Sequence, residues 1–282
     1  MKVTPTDATL GAIITGVDLA SLNERAWRAV EEAFHERAVL IFPAQHLSAE
    51  AQVAFGARFG RVEQLVPGME IVPISNQRKD GSLLADSEHQ MQVLIGNEGW
   101  HTDSSYMPIS AKASILSAHV LPSAGGETEW ADMRAAYQAL DDAMRARIEG
   151  LAAYHSLFHS QAKIGHRAKV GAGYGFHEGE PPLRPLVKTH PVTGQAALYI
   201  GRHAYGIPGL SEQASEQLLT DLVNFACQPP RTLQHRWSVG DVVIWDNRCV
   251  LHRARPYDHR QPRVMQHTRI QGEPDTESGL AA

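Results

Sequence analysis

The chain has 282 residues, 43% of them hydrophobic, which is enough for a substantial buried core in one large domain or two small ones. Its net charge is −5, and Lys and Arg are scattered rather than gathered into a stripe that follows a phosphate backbone, so no nucleic acid partner is expected. The opening MKVTPTDATLGAIITGVDL lacks the basic, apolar and small-residue order of a secretory leader, and no apolar run reaches the roughly eighteen residues of a membrane span; the expectation is a cytoplasmic protein with no membrane partner.

Asn23 to Arg37 carries Ala26, Trp27, Val30, Ala33 and Phe34 at helical spacing behind an Asn suited to capping, and so predicts an amphipathic helix. Ala38 to Phe42 is short, apolar and stopped by Pro43, as a buried strand would be. Ser48 opens a second helix to about Phe59. From Gly60 to Gly99, short apolar runs alternate with polar, Gly-containing stretches, which predicts strands and mobile connections. Further strands are expected at Ala113 to Val120, Leu186 to Thr189, Ala197 to Ile200, Asp241 to Trp245 and Val264 to Arg269. Helices are expected at Met133 to Gly150, with a break near Asp141, and at Ser211 to Ala226. Strands spread over the whole length with helices inserted irregularly do not make a parallel βα alternation. We expect one domain over residues 1–282, mainly β, with a jelly-roll core decorated by helices.

Two cysteines, Cys227 and Cys249, are too few for a disulfide framework and too far apart for a CxxC motif; both are expected to be buried fillers. Fifteen histidines are the compositional outlier, but they are dispersed, so only those in a ligand-like context call for a functional reading.

One such context is Gly96-Asn97-Glu98-Gly99-Trp100-His101-Thr102-Asp103. In extended chain, residues two apart point to the same side, so His101 and Asp103 can meet one ion. Alone, His-x-Asp is a weak signal that a surface turn explains better. A second histidine, His252, in the segment WDNRCVLHRARPYD completes two histidines and one carboxylate, the ligand set of non-haem iron(II) oxygenases. Such iron needs an electron source, which 2-oxoglutarate supplies by chelation and decarboxylation, and its distal carboxylate needs a cation. Arg263, eleven residues after His252, offers a planar fork for it, and Thr128 in GGETE a hydroxyl. Without the histidines, Arg263 would read as a solvated charge on a polar strand. His, Asp and His also suit a zinc hydrolase, and a non-catalytic small-acid sensor is a third reading.

The segments WHTDSSYMPISAKASILSAHVLPSAGGETEWADMRAAYQAL, LVKTHPVTG, LYIGRHA and WDNRCVLHRARPYD resemble the taurine and 2,4-dichlorophenoxyacetate dioxygenase family, nearly end to end. Within it the chain is most similar to aryloxyalkanoate dioxygenases of the (S)-2-phenoxypropionate type. The resemblance implies a double-stranded β-helix core, Fe(II), 2-oxoglutarate and O2 as cofactor and co-substrates, and release of succinate and carbon dioxide. It assigns His101, Asp103 and His252 to the metal, Thr128 and Arg263 to the distal carboxylate of 2-oxoglutarate, and Trp245 to a place beside it. Val72, Ile74, Ser75 and Asn76 become part of a mobile cover.

One departure stands out. Taurine and many phenoxyacetate enzymes carry a second arginine fifteen residues after the distal histidine, where this chain has His267, with Arg269 two residues on. The expected substrate is a small organic anion, an aryloxyalkanoate carboxylate cleaved at its ether to a phenol and a carbonyl acid. N-acyl or N-succinyl amino acids and alkyl sulfonates or sulfates are the alternatives. Arg269 and Arg202 are the expected anion anchors, with Asn97 on the substrate or oxygen side and His203 near the pocket. The retained Asp103 argues against a halogenase. A homo-oligomer is the expected assembly.

Overall fold

Capping and burial of one stripe explain the first helix, Glu24–Arg37. The Asn23 side chain accepts the Ala26 amide, and Trp27, Val30, Ala33 and Phe34 are buried. Ala38 then takes a left-handed conformation and releases the chain into the fully buried strand Val39–Phe42. In the computed structural model, which describes residues 1–280, this strand belongs to a seven-stranded sheet. Its order is Lys2–Pro5, Ala12–Thr15, Val39–Phe42, Val242–Asp246, Ala111–Val120, Val264–Gln271 and Val72–Ser75.

A three-stranded sheet of Thr232–His235, Thr128–Asp132 and Val250–Ala254 carries residues on the way to the site. Trp130 from this sheet meets Trp245 from the large one, ring centroids 5.8 Å apart, in the main core cluster. A second cluster lies on the other face of the large sheet, where Phe34, Phe42, Phe55 and Phe59 stack edge to face under the two N-terminal helices. Two smaller sheets complete the strands, Ala204–Tyr205 with Ala152–His155 and Leu183–Pro185, and Val187–Thr189 with Ala196–Leu198.

The helices expected from Met133 and from Ser211 form as Met133–Ala139, Asp142–Ile148 and Glu212–Ala226, the break falling where Asp141 caps the second piece. Between Gly60 and Gly99 the chain also forms a helix, His89–Gly96, which was not expected. Its run of Val93, Leu94 and Ile95 reads as a strand, yet helical spacing turns His89, Val93 and Asn97 to one cavity wall while Met91 is buried behind them. Val72–Ser75 is an edge strand paired with Val264–His267 rather than a loose cover. Cys249 is buried as expected, whereas Cys227, closing the helix Glu212–Ala226, is only half-buried.

His155 is fully buried, and neither ring nitrogen has a partner among the described residues. Burial, with Arg184 and Lys188 nearby, lowers its pKa from 6.5 to about 3. Between those values the unfolded imidazole takes up a proton that the folded one refuses, so folding stability declines as pH falls through this window. Urea unfolding of the apoprotein should therefore give a flatter pH slope in His155→Phe, by up to about 1.4 kcal/mol per pH unit. An unchanged slope would mean that His155 is protonated in the fold.

Candidate active site

Two main-chain hydrogen bonds join the segments that carry the histidines. The His101 amide donates to the His252 carbonyl (3.0 Å) and the His252 amide to the His101 carbonyl (2.7 Å). This pairing sets the imidazoles side by side, centroids 4.1 Å apart. His101 Nδ1 lies 2.8 Å from the Gly99 carbonyl, which accepts its proton and fixes the tautomer that leaves a lone pair on Nε2. Asp103 follows in a turn closed by Ser104, whose φ of 56° is left-handed. One ligand atom from each of His101, Asp103 and His252 lies within 4.8 Å of the others, and all three residues are buried. The set fits a divalent ion with one face left open.

Asp103 is held from several sides. Oδ2 accepts from Ser114 (2.6 Å) and Oδ1 from Arg269 Nη2 (2.8 Å). Burial opposes its charge, but the adjoining Arg269 guanidinium keeps the carboxyl well below the usual carboxylate range. Burial and the neighbouring His252 lower His101 to about 3, and burial lowers His252 to about 4, so both imidazoles are neutral, as metal ligands must be. Asn247 ties the arrangement together. Its Oδ1 accepts from Trp245 Nε1 (3.0 Å) and the Asp103 amide (3.3 Å), while its Nδ2 donates to Ser114 (2.9 Å). Sequence reasoning missed Asn247 and Ser114; the signals were an Asn beside the Trp-Asp pair and a serine at a fully buried strand position.

These groups open on a cavity of about 580 Å³. Thr128, Trp245, Arg263, Asn97, His203 and Arg269 all line it. Arg263 is 5% exposed and its Nε and Nη2 both donate to the Gly126 carbonyl (3.2 and 3.1 Å), yet it meets no carboxylate among the described residues. Burial lowers its pKa, the cost of a cation desolvated without a counter-ion. Thr128 Oγ accepts from Trp237 Nε1 (3.0 Å), so its own proton is left to donate. A guanidinium and a hydroxyl donor without an anion suit a carboxylate. Asn76 does not line the cavity; it holds the Arg263 segment, accepting the Arg263 amide (2.7 Å) and donating to the His259 and Gln261 carbonyls.

Arg202 is not part of the cavity wall. The strand expected to run to Ile200 stops at Leu198, Gly201 turns the chain, and the Arg202 amide donates to the Trp100 carbonyl (2.8 Å). Its guanidinium then lies beneath Gly96 and Gly99 and donates to the Ser160 carbonyl (2.8 Å), so it does not anchor a substrate in this cavity. Arg269 does reach the wall, but two of its donors are committed to Asp103 and Ser104 (2.9 Å). His267, at the position of the missing arginine, is buried beside Trp245 with its Nε2 3.8 Å from Asp103 Oδ2. Burial and Arg269 lower it to about 3, so it brings no cation.

A second cluster, His190, Asp246 and Cys249, also has ligand-like spacing. Arg248 grips both Asp246 oxygens (2.8 and 2.6 Å), His190 Nε2 donates to the same carboxylate (3.0 Å), and His190 Nδ1 accepts the Val192 and Thr193 amides. Its donor atoms are consumed by the protein, and it is a buried structural network.

Residues 2–269 match the family described as taurine catabolism dioxygenase TauD, TfdA family. The chain belongs to this family. It is 53% identical to the (S)-phenoxypropionate/alpha-ketoglutarate-dioxygenase of Sphingobium herbicidovorans, over 99% of this chain and 98% of that one. It is 50% identical to the protein of the same name from Delftia acidovorans, over 98% and 97%. Among solved structures, AAD-2 in complex with Mn(II) and N-oxalylglycine superposes over all of both chains with a TM-score of 0.92 at 38% identity. Membership in the TauD, TfdA dioxygenases makes this chain an oxygenase using Fe(II), 2-oxoglutarate and O2, and removes the zinc-hydrolase and sensor alternatives.

Proposed function

We propose that this dioxygenase hydroxylates an aryloxyalkanoate carboxylate at the carbon bearing the ether oxygen. The product hemiketal or hemiacetal then expels a phenol and leaves a carbonyl acid. One observation carries the reading: a three-ligand metal set and an uncompensated arginine with a free hydroxyl donor open on the same cavity, whose remaining wall is largely apolar. Leu65, Val66, Met69, Val93, Leu157 and Phe176 give an aryl ring a dry surface. The names of the two relatives at 50–53% identity point to the same substrate class.

In this reading His101, Asp103 and His252 hold the iron, and Arg263 with Thr128 holds the distal carboxylate of 2-oxoglutarate beside Trp245. Bound ferrous iron with 2-oxoglutarate supplies the dioxygen activation that inserts oxygen into a C–H bond, releasing succinate and carbon dioxide. The protein positions the substrate and excludes water. Asn97, at the end of the helix His89–Gly96, faces the cavity and is the proposed polar contact on the substrate side. Arg269 serves the charge balance of Asp103, a role its hydrogen bonds support better than that of a free anchor.

The reading carries with it a single domain whose facing seven- and three-stranded sheets form a double-stranded β-helix core. It also carries a small anionic substrate, a cytoplasmic location and a homo-oligomeric assembly. No helix among the described residues is long and apolar enough to cross a membrane.

The test is anaerobic addition of ferrous iron and 2-oxoglutarate, followed through the weak visible charge-transfer band of the chelate, then admission of oxygen with a panel of substrates. Succinate formation stimulated by aryloxyalkanoates, with stoichiometric phenol, is the expected result. Stimulation by sulfonates, sulfate esters or N-acyl amino acids instead would overturn the substrate assignment while leaving the reaction class intact.

A further inference from the structure

Residues 163–182, between the helix Leu157–Ala162 and the strand Leu183–Pro185, contain neither helix nor strand, yet Gly173, Tyr174 and Phe176 lie on the cavity wall. Phe176 is buried against Phe158 and His89, with centroids 5.2 and 5.4 Å away. Gly175, at φ 83°, passes so close to the Tyr106 ring and Leu157 that a Cβ there would collide with both. The segment is thus seated on the site at two neighbouring side chains, and the second of these, Tyr174, reaches the polar machinery.

The hydrogen bonds there have a single consistent direction. Tyr174 Oη donates to Glu63 Oε1 (2.6 Å), because an ionised carboxylate only accepts. With that proton used, the 2.8 Å contact between Ser104 Oγ and Tyr174 Oη is a donation from the serine. The Ser104 oxygen in turn accepts Arg269 Nη1 (2.9 Å), and Arg269 Nη2 donates to Asp103 Oδ1 (2.8 Å). The guanidinium also lies over the Tyr174 ring, 5.3 Å from its centroid. One buried cation is therefore shared between Asp103 directly and Glu63 through two hydroxyls.

We propose that Tyr174 is a positioning residue for Asp103, so that the covering segment and the metal ligand are set in place together. The proposal rests on the reading of Asp103 as a ligand. Its physical basis is the fork of Arg269, which fixes which Asp103 oxygen faces the imidazoles. The fork is held in turn by Ser104 and the Tyr174 ring. Without the tyrosine hydroxyl, Ser104 loses its acceptor, Glu63 its donor, and Arg269 one side of its restraint.

The experiment is calorimetric titration of the apo full-length chain with Mn(II), without substrate, so that any role of the cover in retaining substrate does not register. Tyr174→Phe and Glu63→Gln should each weaken binding by about tenfold, and the double variant should be no weaker than the weaker-binding single one, as members of one chain behave. Phe158→Leu, which loosens the packing under Phe176 without touching these hydrogen bonds, should bind Mn(II) as the parent does; Phe158→Met replaces it if that variant does not fold. Tyr174→Phe should also be cleaved faster within 163–182 in limited proteolysis. Parental affinity in Tyr174→Phe, or equal weakening in Phe158→Leu, overturns the proposal. Asp103→Ala separates the two levels. Loss of Mn(II) binding there with none in Tyr174→Phe removes only the positioning role, whereas retained binding in Asp103→Ala removes the ligand reading beneath it.

Discussion

Asp103→Ala should yield no succinate above background and should weaken Mn(II) binding by more than about a hundredfold. Asp103 is the one carboxylate among the three proposed ligands, and its removal would leave two neutral imidazoles to hold a dication. The change also strands Arg269, a buried guanidinium whose only ion-pair partner among the described residues is Asp103. Breaking such a pair from one side costs about 3–5 kcal/mol, so the apoprotein should melt at a markedly lower temperature. Asp103→Asn keeps the shape and the Ser114 contact while losing the charge, and should be nearly as inactive but less destabilised. Undiminished succinate production by Asp103→Ala, measured alongside its Mn(II) affinity, would sink the ligand assignment.

Arg263→Gln should raise the KM for 2-oxoglutarate by about a hundredfold or more and leave Mn(II) affinity unchanged. Arg263 is already desolvated and aimed by the Gly126 carbonyl and by Asn76 on its amide, so the anion meets a donor that needs no further ordering. Truncating one partner of a buried charge-assisted pair costs roughly 2–5 kcal/mol, and about 2.7 kcal/mol is a hundredfold. Arg263→Lys should recover only part of the loss, because an ammonium lacks the fork. Thr128→Val should cost less, on the scale of a single hydrogen bond, about 0.5–1.5 kcal/mol. Succinate formation at varied 2-oxoglutarate, with calorimetry for the metal, separates the two effects; an unchanged KM in Arg263→Gln would place the carboxylate elsewhere.

What the sequence disclosed follows from how local each signal is. The helix Glu24–Arg37 and the strand Val39–Phe42 were legible because a cap, an apolar stripe and a proline stop lie within a few residues of each other. The helix His89–Gly96 was not, since its apolar residues serve a cavity on one side and the core on the other and so blur the period that marks an amphipathic helix. His101, Asp103, His252, Thr128, Trp245 and Arg263 were all named in advance, and the fold brings them to one cavity. Arg202 was misplaced because its direction depends on Gly201 and on a bond to the Trp100 carbonyl, both tertiary facts. Arg269 was placed near the site, but its partner stands 166 residues away, and no spacing rule pairs them. Tyr174 gave no signal at all: a tyrosine in a Gly-rich stretch is ordinary until Ser104 and Glu63 are seen on either side of it.

The paired amides and carbonyls of His101 and His252 act as a rivet between two distant stretches of chain. Because the rivet is made of backbone, the distance between the imidazoles does not depend on the length or composition of what lies between them. The intervening chain includes the covering segment, whose Gly173, Tyr174 and Phe176 shape part of the cavity wall. Insertions and exchanges there can retune which molecule fits without moving the metal site. A fold jointed in this way lets one reaction be tried on many substrates, each trial leaving the chemistry intact.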